Sequence, residues 1–163
     1  MSTLFTAIRA ILYASGFILL WGWVASRVQR LDPDLGLALP ATLRAPGIGL
    51  MVLGFPIALV CVAGFVVRGK GTPAPFDAPR DFVPSGPYRY VRNPMYIGAW
   101  LALVGFGLFQ RSGSIVLFSL VLLFVVHLFV VFVEEPGLEK RFGESYLGYK
   151  RVTNRWLPRF SNR

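Results

Sequence analysis

Four times in 163 residues the sequence settles into a run of apolar side chains long enough, or nearly so, to place a helix in hydrocarbon. The runs cover about residues 4–25, 46–67, 94–109 and 115–133. No soluble fold of this size can hide so much apolar surface, because small domains leave a large share of their surface exposed. A composition that is 55% hydrophobic and 15% charged, with a mean hydropathy of +0.58, agrees. The fold class is therefore all-α: a polytopic membrane protein of about four transmembrane helices in one integral domain, followed by a tail over 134–163. Residues 4–25 could be read as a signal peptide, but the run is long and no basic region precedes it, so it is expected to be a retained span. Trp21 and Trp23 mark its interfacial end.

The segments between the runs differ in character. Residues 26–45 form a mixed loop with Pro33 and Pro40. The second run holds Pro56, a candidate kink, and Gly47, Gly49, Gly54 and Gly64, which permit close helix packing. The 68–93 loop is long and rich in proline and glycine, as functional loops often are. It ends in Gly86-Pro87-Tyr88-Arg89-Tyr90-Val91-Arg92-Asn93-Pro94, a cationic stretch whose last proline suits the first turn of a helix. From these residues alone the stretch reads equally as a membrane-flanking anchor or as part of a site. The short link 110–114 predicts an antiparallel hairpin of the third and fourth helices. Pro136-Gly137 is expected to end the fourth. In the tail, 138–142 and 145–152 read as short helices, with Leu138, Phe142, Tyr146 and Tyr149 on one inward stripe.

Charge sets the orientation. Arg68, Lys70, Arg80, Arg89 and Arg92 lie in one loop and seven more basic residues in the tail, against Arg27, Arg30, Arg44 and Arg111 on the other side. The positive-inside rule then places the 68–93 loop, the tail and both termini in the cytoplasm, and the expected setting is a bacterial inner membrane. The net charge of +9 would suggest nucleic acid in a soluble protein. Here an anionic leaflet explains it, and no nucleic-acid partner is expected.

Candidate chemistry is sparse. There is no zinc-type Cys/His cluster, no metal site, no nucleophile elbow and no P-loop. The pair Glu134-Glu135 stands where a helix C-terminus would oppose negative charge. Two explanations stay open: capture by nearby arginines, or exposure to a bound cation or polyhydroxy ligand. His127, seven residues earlier, is an ionisable group within a span and so a functional candidate. The alternative is a neutral histidine hydrogen-bonded between helices.

The order Arg92-Asn93-Pro94-Met95-Tyr96, Glu134-Glu135-Pro136, Leu138, Phe142-Gly143, Tyr146, Tyr149 and Trp156-Leu157-Pro158 resembles the integral membrane methyltransferases. That superfamily includes isoprenylcysteine carboxyl methyltransferases and phospholipid N-methyltransferases. Asn93 replaces the histidine of the carboxyl methyltransferase branch, and Gly69-Lys70-Gly71 is similar to a Gly-x-Gly element of the phospholipid branch. The resemblance implies S-adenosyl-L-methionine as cofactor, held by Gly69, Gly71, Arg92, Asn93, Tyr96, Glu134, Glu135, Tyr146 and Tyr149, with the tail closing over it. It also implies catalytic roles for Glu135 and for Arg141, the latter orienting an anionic acceptor. The acceptor would be lipophilic and delivered by the membrane: a prenylcysteine carboxylate, a phospholipid amine or a small thiol. A non-catalytic scaffold of the same fold is the alternative.

Overall fold

The computed structural model describes residues 3–69, 71–72 and 84–159. Lys70 and residues 73–83 of the long loop, and residues 160–163 of the tail, lie outside the described residues. Among those described, the chain is all-helical, with only two isolated bridges of extended backbone. The helices are α1 (Thr3–Val28), α2 (Asp32–Leu35), α3 (Arg44–Val67), α4 (Pro94–Phe109), α5 (Gly113–Phe129), α6 (Glu135–Phe142) and α7 (Glu144–Val152).

Three helical runs, Leu4–Leu35, Ala41–Val67 and Gly113–Phe142, are long and apolar enough to cross a membrane. In the last of these the apolar stretch stops at Val133, so the residues from Glu134 onward lie past the spanning segment. The fourth apolar helix, α4, has 16 residues. At 1.5 Å per residue it spans about 24 Å, short of a ~30 Å hydrocarbon core. Large side chains such as Leu19, Leu59, Phe124 and Phe132 are exposed along these helices, as a lipid-facing surface requires.

The bundle is built on a seam between α3 and α4. Gly47 and Gly54 are seven residues apart, as are Gly98 and Gly105, so each pair falls on one helix face two turns apart. The helices run antiparallel, with Gly47 against Gly105 and Gly54 against Gly98. A Cβ at Gly54 would lie 2.5 Å from the Gly98 carbonyl oxygen, and one at Gly98 would lie 2.7 Å from that of Gly54. The backbones therefore touch directly, the arrangement small residues permit between membrane helices. Gly49 and Gly64, also expected to assist packing, face open space. The α4–α5 hairpin forms as anticipated, but α4 packs chiefly on α3. Pro56 sits inside α3 without ending it.

The 26–45 region is more ordered than a mixed loop. Helix α1 runs on to Val28, a 3₁₀ turn follows, and Pro33 occupies the first turn of α2. Gly36, at φ 65°, then ends α2. This region closes one end of the bundle. Leu39 N–H donates to the Arg111 carbonyl (2.9 Å), Arg111 Nε donates to the Leu39 carbonyl (3.0 Å), and Gly113 N–H donates to Leu37 (2.9 Å). The N-terminus of α5 is capped twice. The Ser112 hydroxyl accepts from Ile115 N–H (3.1 Å), and the Asp32 carboxylate accepts from Ser114 N–H (2.9 Å).

The other end of α5 departs from expectation. Pro136-Gly137 does not end the helix: a π turn over Val130–Glu134 passes directly into α6. Proline lacks the N–H that would bond back along the ladder, and the widened turn just ahead is where that ladder is rearranged. Glu134 and Glu135 therefore lie within a continuing helix rather than at a terminus. The dipole penalty expected for them does not apply. The break between α6 and α7 falls at Gly143, whose φ of 51° suits a residue without Cβ.

Candidate functional site

At the end of the bundle opposite the Asp32 cap, the chain leading into α4 meets the tail. A 3₁₀ turn over Gly86–Arg89 brings Val91 beside Asn154 in a parallel bridge, and Arg92 N–H donates to the Asn154 carbonyl (2.8 Å). The Asn93 amide donates to the Arg155 carbonyl (3.2 Å). Asn93 ends this extended stretch, and Pro94 opens α4 at the position where a missing N–H costs nothing. The Tyr149 hydroxyl, from α7, donates back to the Tyr88 carbonyl (2.7 Å). Residues about sixty positions apart thus form one surface, and α6 and α7 lie against it.

Glu135 is the centre of this surface, 3% exposed and surrounded by cations. Arg155 grips it bidentately, Nε to Oε1 at 2.7 Å and Nη2 to Oε2 at 2.9 Å. Arg92 Nη2 donates to Oε1 at 2.8 Å, and Lys150 Nζ stands 3.6 Å from Oε2 while also bonding Glu139. Burial alone would raise this carboxyl, but the hydrogen bonds and charges of Arg155 and Arg92 outweigh it and hold it at about 2. Arg92 also ties down the tail: its Nη1 donates to the carbonyls of Lys150 (3.2 Å) and Thr153 (3.0 Å), which close α7. Its Nε, buried, has no acceptor.

Glu134 differs sharply from its neighbour. Its Oε2 accepts from the Tyr96 hydroxyl (3.0 Å), and among the described residues no cation lies within 4 Å of it. Tyr146 is 2% exposed, and its ring centroid lies 6.1 Å from that of Tyr149. Burial pushes both phenols above their ordinary range, with the Glu135 charge adding to the effect at Tyr146.

The residues singled out from the sequence fall into two groups. Arg92, Asn93, Tyr96, Glu134, Glu135, Tyr146 and Tyr149 gather at this end. Among the described residues no hydrogen bond joins Gly69 or Gly71 to them; their N–H groups bond back to the Gly64 (3.3 Å) and Phe65 (3.2 Å) carbonyls and cap α3. Arg141 is exposed, its guanidinium over the Phe142 ring at 5.2 Å, and makes no contact with the acidic pair. Among the described residues His127 shows no hydrogen bond to another spanning helix. Its Nδ1 accepts from Trp156 Nε1 in the tail at 3.0 Å. Sequence reasoning missed Arg155 and Lys150. The only signal for Arg155 was its place beside Trp156-x-Pro.

The arrangement is suited to holding a zwitterion more than to covalent chemistry. Among the described residues it offers a carboxyl without a cationic partner at Glu134, an arginine donor without an acceptor at Arg92, and a buried phenol at Tyr146. An open groove of about 640 Å³ runs between the 84–93 segment and α7, lined by Pro84, Arg89, Ser145, Tyr149 and Thr153 among others. Neither glutamate lines it.

A sequence model described as phospholipid methyltransferase matches residues 43–145, well over half of the chain, from the start of α3 to the start of α7. Comparison with curated proteins and with solved structures found no match. The family match takes in the glycine seam, Arg92, Asn93, Tyr96 and both glutamates, whereas the tail residues that complete the surface, from Tyr146 to Arg155, lie beyond it. The chain belongs to the phospholipid methyltransferase family.

Proposed function

We propose that this protein transfers a methyl group from S-adenosyl-L-methionine to a lipophilic acceptor delivered by the bilayer, on the cytoplasmic side of the membrane. The observation that carries the reading is the pairing, within one partly buried cluster, of an arginine Nε with no acceptor and a carboxyl with no cation within 4 Å among the described residues. An amino-acid zwitterion presents the complementary carboxylate and ammonium. Glu134 would hold the ammonium or a ribose hydroxyl through charge-assisted hydrogen bonds, and Arg92 the carboxylate. Asn93 and Tyr96 would complete the polar rim, with Tyr146 and Tyr149 keeping water out. Glu135 would act by fixing Arg92, and Gly69 and Gly71 by holding the end of α3 beside the cluster.

When bound, S-adenosyl-L-methionine supplies a methyl group on a sulfonium, which an in-line displacement passes to the acceptor. What the chain must provide is alignment, and positioning alone can remove much of such a barrier. Arg141, exposed at the same end, is free to meet an anionic part of the acceptor. The acceptor would come sideways from the bilayer between α4 and α5. Of the three acceptor classes, the family favours a phospholipid over a prenylcysteine carboxylate or a small thiol. The concentration of basic residues in the 68–93 loop and the tail supports a cytoplasmic site, with both termini on that side.

A non-catalytic scaffold of the same fold has one observation in its favour: Glu135 is already neutralised by Arg92 and Arg155, as a purely structural residue would be. Glu134 distinguishes the two. Calorimetric titration of the purified protein with S-adenosyl-L-methionine should show binding that weakens at least tenfold in Glu134→Gln. Transfer of labelled methyl to total membrane lipid should fall with it. A wild-type protein that neither binds the cofactor nor labels any lipid would establish the scaffold reading instead.

A further inference from the structure

Three consecutive tail residues fasten different parts of the site. The Thr153 carbonyl accepts from Arg92 Nη1, the Asn154 carbonyl from Arg92 N–H, and the Arg155 carbonyl from the Asn93 amide. The Arg155 guanidinium clamps Glu135. Beyond α7 no helix imposes this path, since Thr153 is already extended at φ −122°, ψ 125°. The strap therefore needs an anchor at its far end, and Trp156 provides one. Its indole N–H donates to His127 Nδ1 at 3.0 Å, with the two rings 6.0 Å apart between centroids. An indole nitrogen can only donate, so His127 Nδ1 must be unprotonated and the neutral ring carries its proton on Nε2. The histidine sits on α5, the same helical run that continues into Glu134 and Glu135. Anchor and clamp are thus mounted on one rigid element.

We infer that His127 is a positioning residue: through the Trp156 indole it latches residues 153–156 across the Arg92–Glu135 pair and so holds Arg92 and Asn93 in place. The latch itself follows from the contacts above. Its consequence for cofactor binding rests on the methyl-transfer reading. A loosened strap leaves the acidic pair on its helix but frees Arg92, so it should weaken ground-state binding more than turnover.

Two readouts separate these levels. The chain has a single cysteine, Cys61, which is buried. In a Cys61→Ser background, Thr153→Cys places a thiol at a position only 5% exposed. Maleimide labelling there should accelerate at least fivefold when Trp156→Phe removes the indole N–H and keeps a ring, and likewise in His127→Leu. His127→Asn returns an acceptor near the Nδ1 position and should restore slow labelling to within twofold. The double variant Trp156→Phe/His127→Leu should label no faster than the faster single one, because both remove one contact. Labelling that ignores Trp156→Phe, or two increments that simply multiply, overturns the latch. In the methyl-transfer assay, Trp156→Phe should raise KM for S-adenosyl-L-methionine at least fivefold with kcat within twofold. An equal loss in kcat alone would contradict the positioning role. If the parent protein transfers no methyl group, the functional reading fails, and the labelling result still decides the latch.

Discussion

A buried carboxylate lies beyond each end of α5, Asp32 from α2 and Glu135 at the start of α6, and they are satisfied in opposite ways. At the N-terminal end Asp32 accepts from the Ser114 backbone N–H, a donor that the helix geometry leaves free. The helix dipole favours an acid there, and no cation is required. At the other end Glu135 lies within a continuing helix whose backbone offers it nothing. Its partners are side chains from two distant segments: Arg92 before α4, and Lys150 and Arg155 from the tail. The first carboxylate closes a turn. The second exists only because the tail folds back, so the order of that whole surface depends on long-range contacts. Glu134 sharpens the difference further: its partner is a phenol, and burial pushes its carboxyl above the ordinary value where Glu135 is held below.

The largest effect should come from disturbing what both ends share. Gly98→Val places side-chain atoms where the Gly54 carbonyl already sits, so α3 and α4 must separate. No folded protein should survive extraction in mild detergent, judged by gel filtration. A monodisperse, stable variant would mean the seam is not the frame of the bundle. Next is Glu135→Gln, which leaves the largely buried Arg92 and the partly exposed Arg155 without their counter-charge and should cost about 3 kcal/mol. Acid probes the same contact. The Glu135 carboxyl is held at about 2, below its ordinary value, so its contribution is complete above that ordinary value and is lost as pH falls towards 2. Thermal midpoints in detergent should fall across this window in the wild type and change less in Glu135→Gln. The smallest of the three is Asp32→Ala, the loss of one helix cap, at about 1–2 kcal/mol. Cofactor binding should be untouched by it. Equal costs for the Asp32 and Glu135 substitutions would erase the contrast between local and long-range satisfaction.

What could be read from the sequence follows the same division. Periodic and local features were legible: the apolar runs, the start of α4 at Pro94, and the break at Gly143 between α6 and α7, which fell where the tail pattern lapsed. The gathering of Arg92, Tyr96 and the two glutamates at one end followed from counting helices. Features that depend on register or on a returning chain were not legible. The π turn at Val130–Glu134 leaves no trace in an apolar run, and it cancelled the dipole penalty expected for the acidic pair. Four glycines were visible in α3, but only the two spaced by seven touch α4. Capture of Glu135 by arginine was an open alternative, yet nothing in the order of residues distinguished Arg155 from its basic neighbours. The histidine lay in plain view, but a hydrogen bond between helices was expected for it, and a tail tryptophan can reach it only once the strap is drawn across.

The glycine seam has one more consequence, for traffic in the plane of the membrane. Where two helices meet backbone to backbone there is no side chain to swing aside, and nothing as wide as an acyl chain can slip between them. That flank of the molecule is a wall. Any lipid that reaches Arg92 and Glu134 from the bilayer must do so past another pair of helices, which gives a small, nearly featureless bundle a front and a back.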